Sequence, residues 1–335
     1  MPQNSRMISP LNWKTLVAEA LRRRKEEKLT QRQHAALASV SIPTIVAFDR
    51  GEHTLSLNKA FDILRVVGLV EEPRESGAQE IFVRDALARW NKLISKLPPD
   101  SPGRFPFGWY RIDYALEGDL KEVELHKFQE ILLKAKARNT GWPMFMVPTR
   151  QEIAPYEIDG VLECWLSPED TNENQIVRDA AHCDFWRASP NGRMFLMRGY
   201  REDGQVTFLP GKIFDTTLPI WSVGEALIHA ARLAALLKQE ESSMTSIKLR
   251  VHFTGLTGRI LKTWANPMVD LLEEGSGARS DEALLEAVVP ASEVETNLAT
   301  HIYPMVSSLY ERFGVTGISL DWVAAEVARL QRSRI

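Results

Sequence analysis

The residues best equipped for chemistry lie between positions 163 and 203. Glu163, His182 and Asp184 are of the types that ligate a divalent cation for hydrolysis, and the segment HCDFWRASPNGRMFLMRGYRED, from His182 to Asp203, adds a thiol at Cys183 and the pair Arg198 and Asp203. Their spacing argues for something plainer. Cys183, Phe185 and Arg187 alternate with His182, Asp184, Trp186 and Ala188, which is the period of a half-buried strand, and Arg198 with Asp203 reads as an ordinary salt bridge. The only cysteines, Cys164 and Cys183, form no CxxC pair and read as two buried thiols in a reducing compartment. No Walker loop, GxGxxG, HExxH, GxSxG or zinc-spaced set of Cys and His occurs. Nucleotide, zinc and serine-hydrolase chemistry therefore has no warrant, no metal or cofactor is expected, and the chain is not expected to be an enzyme. Trp109, Tyr110, Trp142, Trp165, Trp186 and Trp221 could line a pocket for a small-molecule effector, although most should be core.

Those residues belong to the longer part of a divided chain. At 335 residues the sequence exceeds one typical domain. Its charge is also divided: residues 1–70 hold 11 Lys or Arg against 6 Asp or Glu, a net +5 on a chain whose total is −3, so residues 71–335 carry −8. A basic head on an acidic body suits a protein that meets phosphates at one end. No run of 18 apolar residues occurs and the opening MPQNSRMISP has no apolar stretch, so a cytoplasmic protein with no membrane contact is expected.

The head reads as short helices bounded by caps. Trp13, Leu16, Val17, Ala20 and Leu21 recur at helical spacing, leaving Arg22, Arg23 and Lys25 outward. Thr30 is a good N-cap for a helix from Gln31 to Leu37. Ser41 or Ile42 opens a third helix, with Pro43 in its first turn and Gly51 at its C-terminal end. Leu57, Ala60, Phe61, Leu64 and Val67 place a fourth, closed by Gly68. Phe82, Leu87, Trp90, Leu93 and Leu97 form a fifth helix or a connector, and the stretch PPDSPGRFPFG from Pro98 to Gly108 marks the boundary.

Beyond it the pattern is mixed. A helix is expected from about Lys121 to Asn139, and apolar runs stand at Met144–Pro148 and Val161–Leu166. A hairpin should join His182–Ala188 to Arg193–Tyr200 across Ser189-Pro190-Asn191-Gly192. A long helix at Trp221–Leu237, a strand at Ile247–Phe253, a polar loop at Glu274–Ser280 and helices at about Glu293–Phe313 and Leu320–Gln331 complete an α+β body. Leu298, Ile302, Met305, Leu309 and Phe313 read as core, and secondarily as a dimer seam. The expected organisation is an all-α helix-turn-helix N-terminal domain, residues 1–70, a helical connector and linker, 71–108, and a larger α+β C-terminal domain, 109–335, for sensing and dimerisation.

The stretch LTQRQHAALASVSIPTIVAFDRG, residues 29–51, resembles without a gap the core of the phage-repressor or xenobiotic-response-element family of helix-turn-helix proteins. Thr30, Gln31, Ala35, Val40, Ser41, Thr44, Ile45, Asp49, Arg50 and Gly51 carry the resemblance, which covers about 60 residues of the head. It implies double-stranded DNA, in the form of a palindromic operator, as the partner of a homodimer. By the same resemblance Gln31 holds a phosphate, Arg24 and Asp49 form an internal ion pair, Ile42, Pro43, Thr44, Val46 and Ala47 face the bases, and Arg32, Ser41 and Arg50 complete the DNA-binding set. Arg24 could instead be a solvated member of its RRRK run. None of the base-facing positions is an Arg, Asn or Gln, so apolar contact with thymine methyls, a Thr hydroxyl and DNA shape remain for recognition. His34 departs from the family's core Leu and reads as a satisfied, half-buried side chain in preference to a switch. The segment 182–203 with PIWSVGEALIHAARLA loosely resembles C-terminal halves of bacterial regulators and carries no residues over.

The expected function is a sequence-specific DNA-binding transcriptional regulator, a repressor by family habit, with a small-molecule or protein effector acting on the body. Two alternatives stand beside it: a bacterial defence or toxin–antitoxin component whose body is an effector enzyme, and an adaptor with a degenerate helix-turn-helix.

Overall fold

A computed structural model describes residues 12–38, 40–52, 55–70, 77–166, 179–266 and 277–333. The chain forms two compact units that meet between Gly77 and Ala78, so the segment Ala78–Gly108, expected to connect two domains, lies within the second unit. Residues 71–76 of that expected connector and Glu274–Ser276 of the expected polar loop fall outside the described residues.

The first unit contains α1 (Trp13–Glu26), α2 (Gln31–Leu37), α3 (Ile42–Asp49) and α4 (Leu57–Val66). Its core gathers Val17, Ala20, Ala35, Ala38, Ile45, Phe48, Ile63, Leu64 and Val67, one or two positions per helical turn from each element.

The second unit opens on α5 (Ala78–Ile94), whose Phe82, Val83, Ala86, Trp90 and Ile94 are buried in its core. Strands β1 (Trp109–Gly118), β2 (Tyr156–Ile158), β3 (Val161–Trp165), β4 (Phe185–Ser189), β5 (Arg193–Gly199), β7 (Thr245–Phe253) and β9 (Ala283–Pro290) form one sheet in the order β2-β3-β4-β5-β1-β7-β9, while β6 (Ile213–Asp215) and β8 (Ile260–Lys262) pair separately. Every contact in the large sheet is antiparallel. Helices α6 (Leu125–Ala135), α7 (Leu218–Leu237), α8 (Val294–Glu311) and α9 (Leu320–Arg332) complete the unit. The outcome is a helical N-terminal unit and a larger sheet-rich α+β unit.

Turn chemistry sets the register. The β2–β3 hairpin closes on Asp159 and Gly160, with φ of 51° and 73°, the backbone of a two-residue turn that Asp-Gly accommodates at low cost. The β4–β5 hairpin closes on Pro190-Asn191-Gly192 with Gly192 at φ 81°. Gly108 and Gly255 face each other where the chain enters β1 and leaves β7. A Cβ on either would fall within 2.5–2.7 Å of the other's loop backbone, so neither position admits a side chain.

The middle of the sheet is covered on both faces, which corrects the half-buried reading of the hairpin: every residue of β4 is buried, whereas Leu284, Glu286 and Val288 of the edge strand β9 are exposed. On one face Tyr110, Ile112, Tyr114 and Leu116 of β1 alternate inward, and Tyr114 donates to His229 Nδ1 of α7 at 2.8 Å or accepts from it. On the other lies a row of charge. Successive partners across all seven strands are Tyr156, Glu163, Arg187, Phe195, Asp113, Arg250 and Glu286. Helix α5 adds to it with Arg89 on Glu163 at 2.9 Å, Gln79 on Asp113 at 3.1 Å and Glu80 on Arg250 at 3.1 Å.

Other readings change with this packing. Arg198 pairs with Asp184 at 2.7 Å, not with Asp203, which forks Arg259 at 2.6 and 2.9 Å. The stripe Leu298, Ile302, Met305, Leu309 and Phe313 is buried in the unit's own core, which leaves no seam for a dimer there. The expected helix at 121–139 shortens to α6, and Met144–Pro148 is irregular but mostly buried. Among the described residues α7 alone is long and apolar enough to cross a membrane, yet it is a core helix, with Glu225 and His229 fully buried on it.

Beside β6, Glu202 is 3% exposed and accepts from the Asp215 N–H at 2.7 Å. Burial, and then the neighbouring Asp215 carboxylate, push its pKa up to about 7. The folded unit therefore holds a proton that the unfolded chain releases from about pH 4.5, and stability falls as pH rises from there to about 7. We expect Glu202 to contribute a loss of about 3 kcal/mol across that window, so Glu202→Gln should lose less than the parent chain between pH 5 and pH 8; urea unfolding followed by Trp fluorescence at the two pH values measures both.

Candidate nucleic-acid interface

The helix ends of the first unit are specified by side chains close in sequence. Asn12 Oδ1 accepts from the Thr15 N–H at 3.2 Å to open α1. Lys28, at φ 57°, closes it, with the Leu29 N–H donating to the Arg24 carbonyl at 3.0 Å. Thr30 and Gln33 cap α2 reciprocally: the Gln33 N–H reaches Thr30 Oγ1 at 3.2 Å and the Thr30 N–H reaches Gln33 Oε1 at 2.9 Å. Ser41 is the N-cap of α3, Pro43 lies in its first turn, and the left-handed Gly51 lets the Glu52 N–H bond the Ala47 carbonyl at 3.1 Å.

Three helices then meet at one carboxylate. Arg24 of α1 forks Asp49 of α3 at 2.9 and 2.7 Å, and Gln31 Nε2 of α2 donates to Asp49 Oδ2 at 2.6 Å. The ion pair is mostly covered, with 11% of the Arg24 and 13% of the Asp49 side chain exposed. Below it Ala35 and Ile45 are buried and Val40 is half-buried. Trp13 lies edge-on to Phe48 at 5.5 Å and donates to the Gly51 carbonyl at 3.1 Å. His34 is fully buried, beyond the half-burial expected, and its Nε2 lies 2.8 Å from the Ile63 carbonyl. Since a carbonyl can only accept, Nε2 carries the hydrogen.

The opposite side of α3 faces out. Ser41, Ile42, Pro43 and Arg50 are exposed, and Thr44, Val46 and Ala47 are half-buried. Ser41 Oγ and Thr44 Oγ1 bond each other at 2.8 Å. Lys25, Lys28 and Arg32 are exposed and make no ion pair among the described residues, and the acid nearest Arg50 is Glu52 at 3.9 Å. Arg22 is different. Its guanidinium lies between Glu19, at 2.7 Å, and Glu26 on its own helix, and Arg23 closes α4 by donating to the Gly68 carbonyl at 2.9 Å. The Thr30-x-x-Gln33 box and the second role of Gln31 are what sequence reading missed. The T-x-x-Q spacing was a usable signal for the first; the second needed α2 and α3 to be packed.

The residues singled out in the second unit do not assemble a metal site. Glu163 is held by Arg89 and by Tyr156 OH at 2.6 Å, Asp184 by Arg198 and by Trp142 Nε1 at 3.1 Å, and His182 Nδ1 faces Asp179 at 2.7 Å. No group of three or more potential ligands occurs among the described residues. Cys164 and Cys183 are free and buried, and burial pushes both thiols well up. The aromatic residues are spent on packing. Tyr110 borders a cavity of about 20 Å³ beside Tyr200, Phe214 and Phe253, room for about one water. Comparison of the chain with protein-family models, with curated proteins and with solved structures returns no match.

Asp49→Ala should leave Arg24 without its countercharge and Gln31 without its acceptor. We expect about 3 kcal/mol of destabilisation confined to the first unit, read as faster amide exchange in α1–α3 of the full chain with α7 unchanged; the double replacement Arg24→Met with Asp49→Leu should recover most of it.

Proposed function

We propose that the chain is a DNA-binding transcriptional regulator. In this reading the first unit is a helix-turn-helix reader of the phage-repressor type, α3 enters the major groove, and the acidic α+β unit provides dimerisation and the surface on which an effector acts. The observation that carries it is the division of α3 into two sides. Its inner side is fixed by the core and by Arg24, Asp49 and Gln31, while its outer side is uncovered and accompanied by the unpaired cations Lys25, Lys28 and Arg32 and the nearly free Arg50. A rigid helix with positive charge at its margins suits a duplex, where phosphate contacts set the register. Two such heads in a homodimer would occupy successive major grooves, about 34 to 36 Å apart. A fully cytoplasmic operator-bound repressor is the version we favour.

One observation favours a second reading. Leu37 and Ile42 are 62% and 49% exposed, an apolar pair that would equally suit a protein partner on an adaptor that has given up DNA. The two differ in their response to salt. Affinity for a palindromic duplex should fall with salt at about 0.9 in log–log slope per phosphate neutralised, and Arg32→Ala and Arg50→Ala should each flatten that slope by about 1. Fluorescence anisotropy between 50 and 200 mM salt tests this; absence of duplex binding at the lowest salt leaves the adaptor.

A further inference from the structure

The hydrogen-bonding side chains Ser41, Thr44, Asp49 and Gln31 on or beside α3 each make a bond within the first unit. Ser41 and Thr44 bond each other, which uses one of their two hydroxyl hydrogens, while Asp49 is held by Arg24 and by the amide nitrogen of Gln31. Beside that hydroxyl pair the entering end of the helix shows mostly hydrocarbon, with Ile42 and Pro43 exposed and Val46 and Ala47 half-buried. The exposed Arg50 guanidinium stands eight residues beyond Ile42, about 12 Å along the axis, where a groove-wall phosphate is nearer than a base edge.

In the major groove only one feature of the bases is apolar, the C5-methyl group of thymine; guanine, cytosine and adenine offer acceptors and amino groups. Pressing Ile42 and Val46 onto those polar edges would strip their water with nothing in exchange, whereas pressing them onto a methyl removes apolar surface on both sides. We infer that α3 selects its site by thymine methyl groups, gaining affinity where they stand beneath Ile42, Pro43, Val46 and Ala47 and losing it where a G·C pair replaces them. This inference rests on the DNA reading above and supplies what that reading lacks, a source of discrimination from a helix without Arg, Asn or Gln at its entering end.

The test starts from the tightest duplexes that the full chain retrieves from a randomised pool. Within them thymines are replaced one at a time by deoxyuridine, which removes the methyl and leaves pairing and charge intact. At two to four positions per half-site the replacement should weaken binding about fourfold each, and elsewhere it should have no effect. Ile42→Ala and Val46→Ala, both at exposed or half-buried positions that leave the core untouched, should abolish the sensitivity at their own positions while keeping the salt-dependent binding to any duplex. Uniform indifference to deoxyuridine in a duplex that still binds with a steep salt slope overturns the methyl inference and leaves the regulator standing. A preference for 5-methylcytosine over thymine at the same positions overturns the assignment to thymine. Failure to retain any duplex at low salt removes both readings, and it is seen before a single thymine is changed.

Discussion

A carboxylate taken out of water must be given a cation or a set of N–H groups, and both units are arranged around that requirement. In the first, Asp49 is answered by a fork from Arg24 and one bond from Gln31, so a single side chain ties α1, α2 and α3 together. In the second, Asp113, Glu163, Asp184 and Asp203 are each answered by arginine, with Arg250, Arg89, Arg198 and Arg259 as partners. Two of these lie on the cross-strand row that runs through all seven strands. Because side chains alternate with a period of two, a one-residue slip of any central strand would carry its member of that row to the wrong face. The row thus specifies register more sharply than the apolar residues around it, many of which are interchangeable in size.

The same requirement explains why residues suited to chemistry do none that the described structure reveals. Glu163, Asp184 and His182 are near one another in sequence or strand, but each already has a partner of its own. The surface of the first unit differs in kind. There Lys25, Lys28 and Arg32 are exposed and make no ion pair among the described residues, whereas Arg22, Arg24 and Arg65 are paired with acids of the same unit.

Much of this was legible in the sequence wherever the governing interaction was local. Helix starts at Ser41 and Thr30, the stop at Gly51 and the hairpin at Pro190-Asn191-Gly192 follow from residues within four positions of one another. The central strand β1 was missed although Tyr110, Ile112, Tyr114 and Leu116 alternate, because Arg111, Asp113 and Glu117 between them look like the solvent side of something exposed. Glu117 is indeed exposed, but Asp113 is fully buried and matched by Arg111 on its own strand, by Arg250 of β7 and by Gln79 of α5, partners that sequence order does not bring together. The assignment of Ala78–Leu97 to a connector failed to follow the packing for a related reason: an amphipathic helix does not announce which core its apolar side enters. At the candidate interface the outward position of Ile42 and Pro43 was readable, but the engagement of Gln31 by Asp49 depends on how two helices cross.

The two cores have very different sizes. One is a small cluster drawn from four short helices; the other is built on a seven-stranded sheet with helices packed against it. Apolar burial that small gives only a modest margin over chain entropy, and the described residues of the first core all belong to its own unit. Heating should therefore empty the chain in two stages, helices of the N-terminal unit first. A single melting temperature would describe neither event, and a duplex bound to the head would raise only the lower of the two.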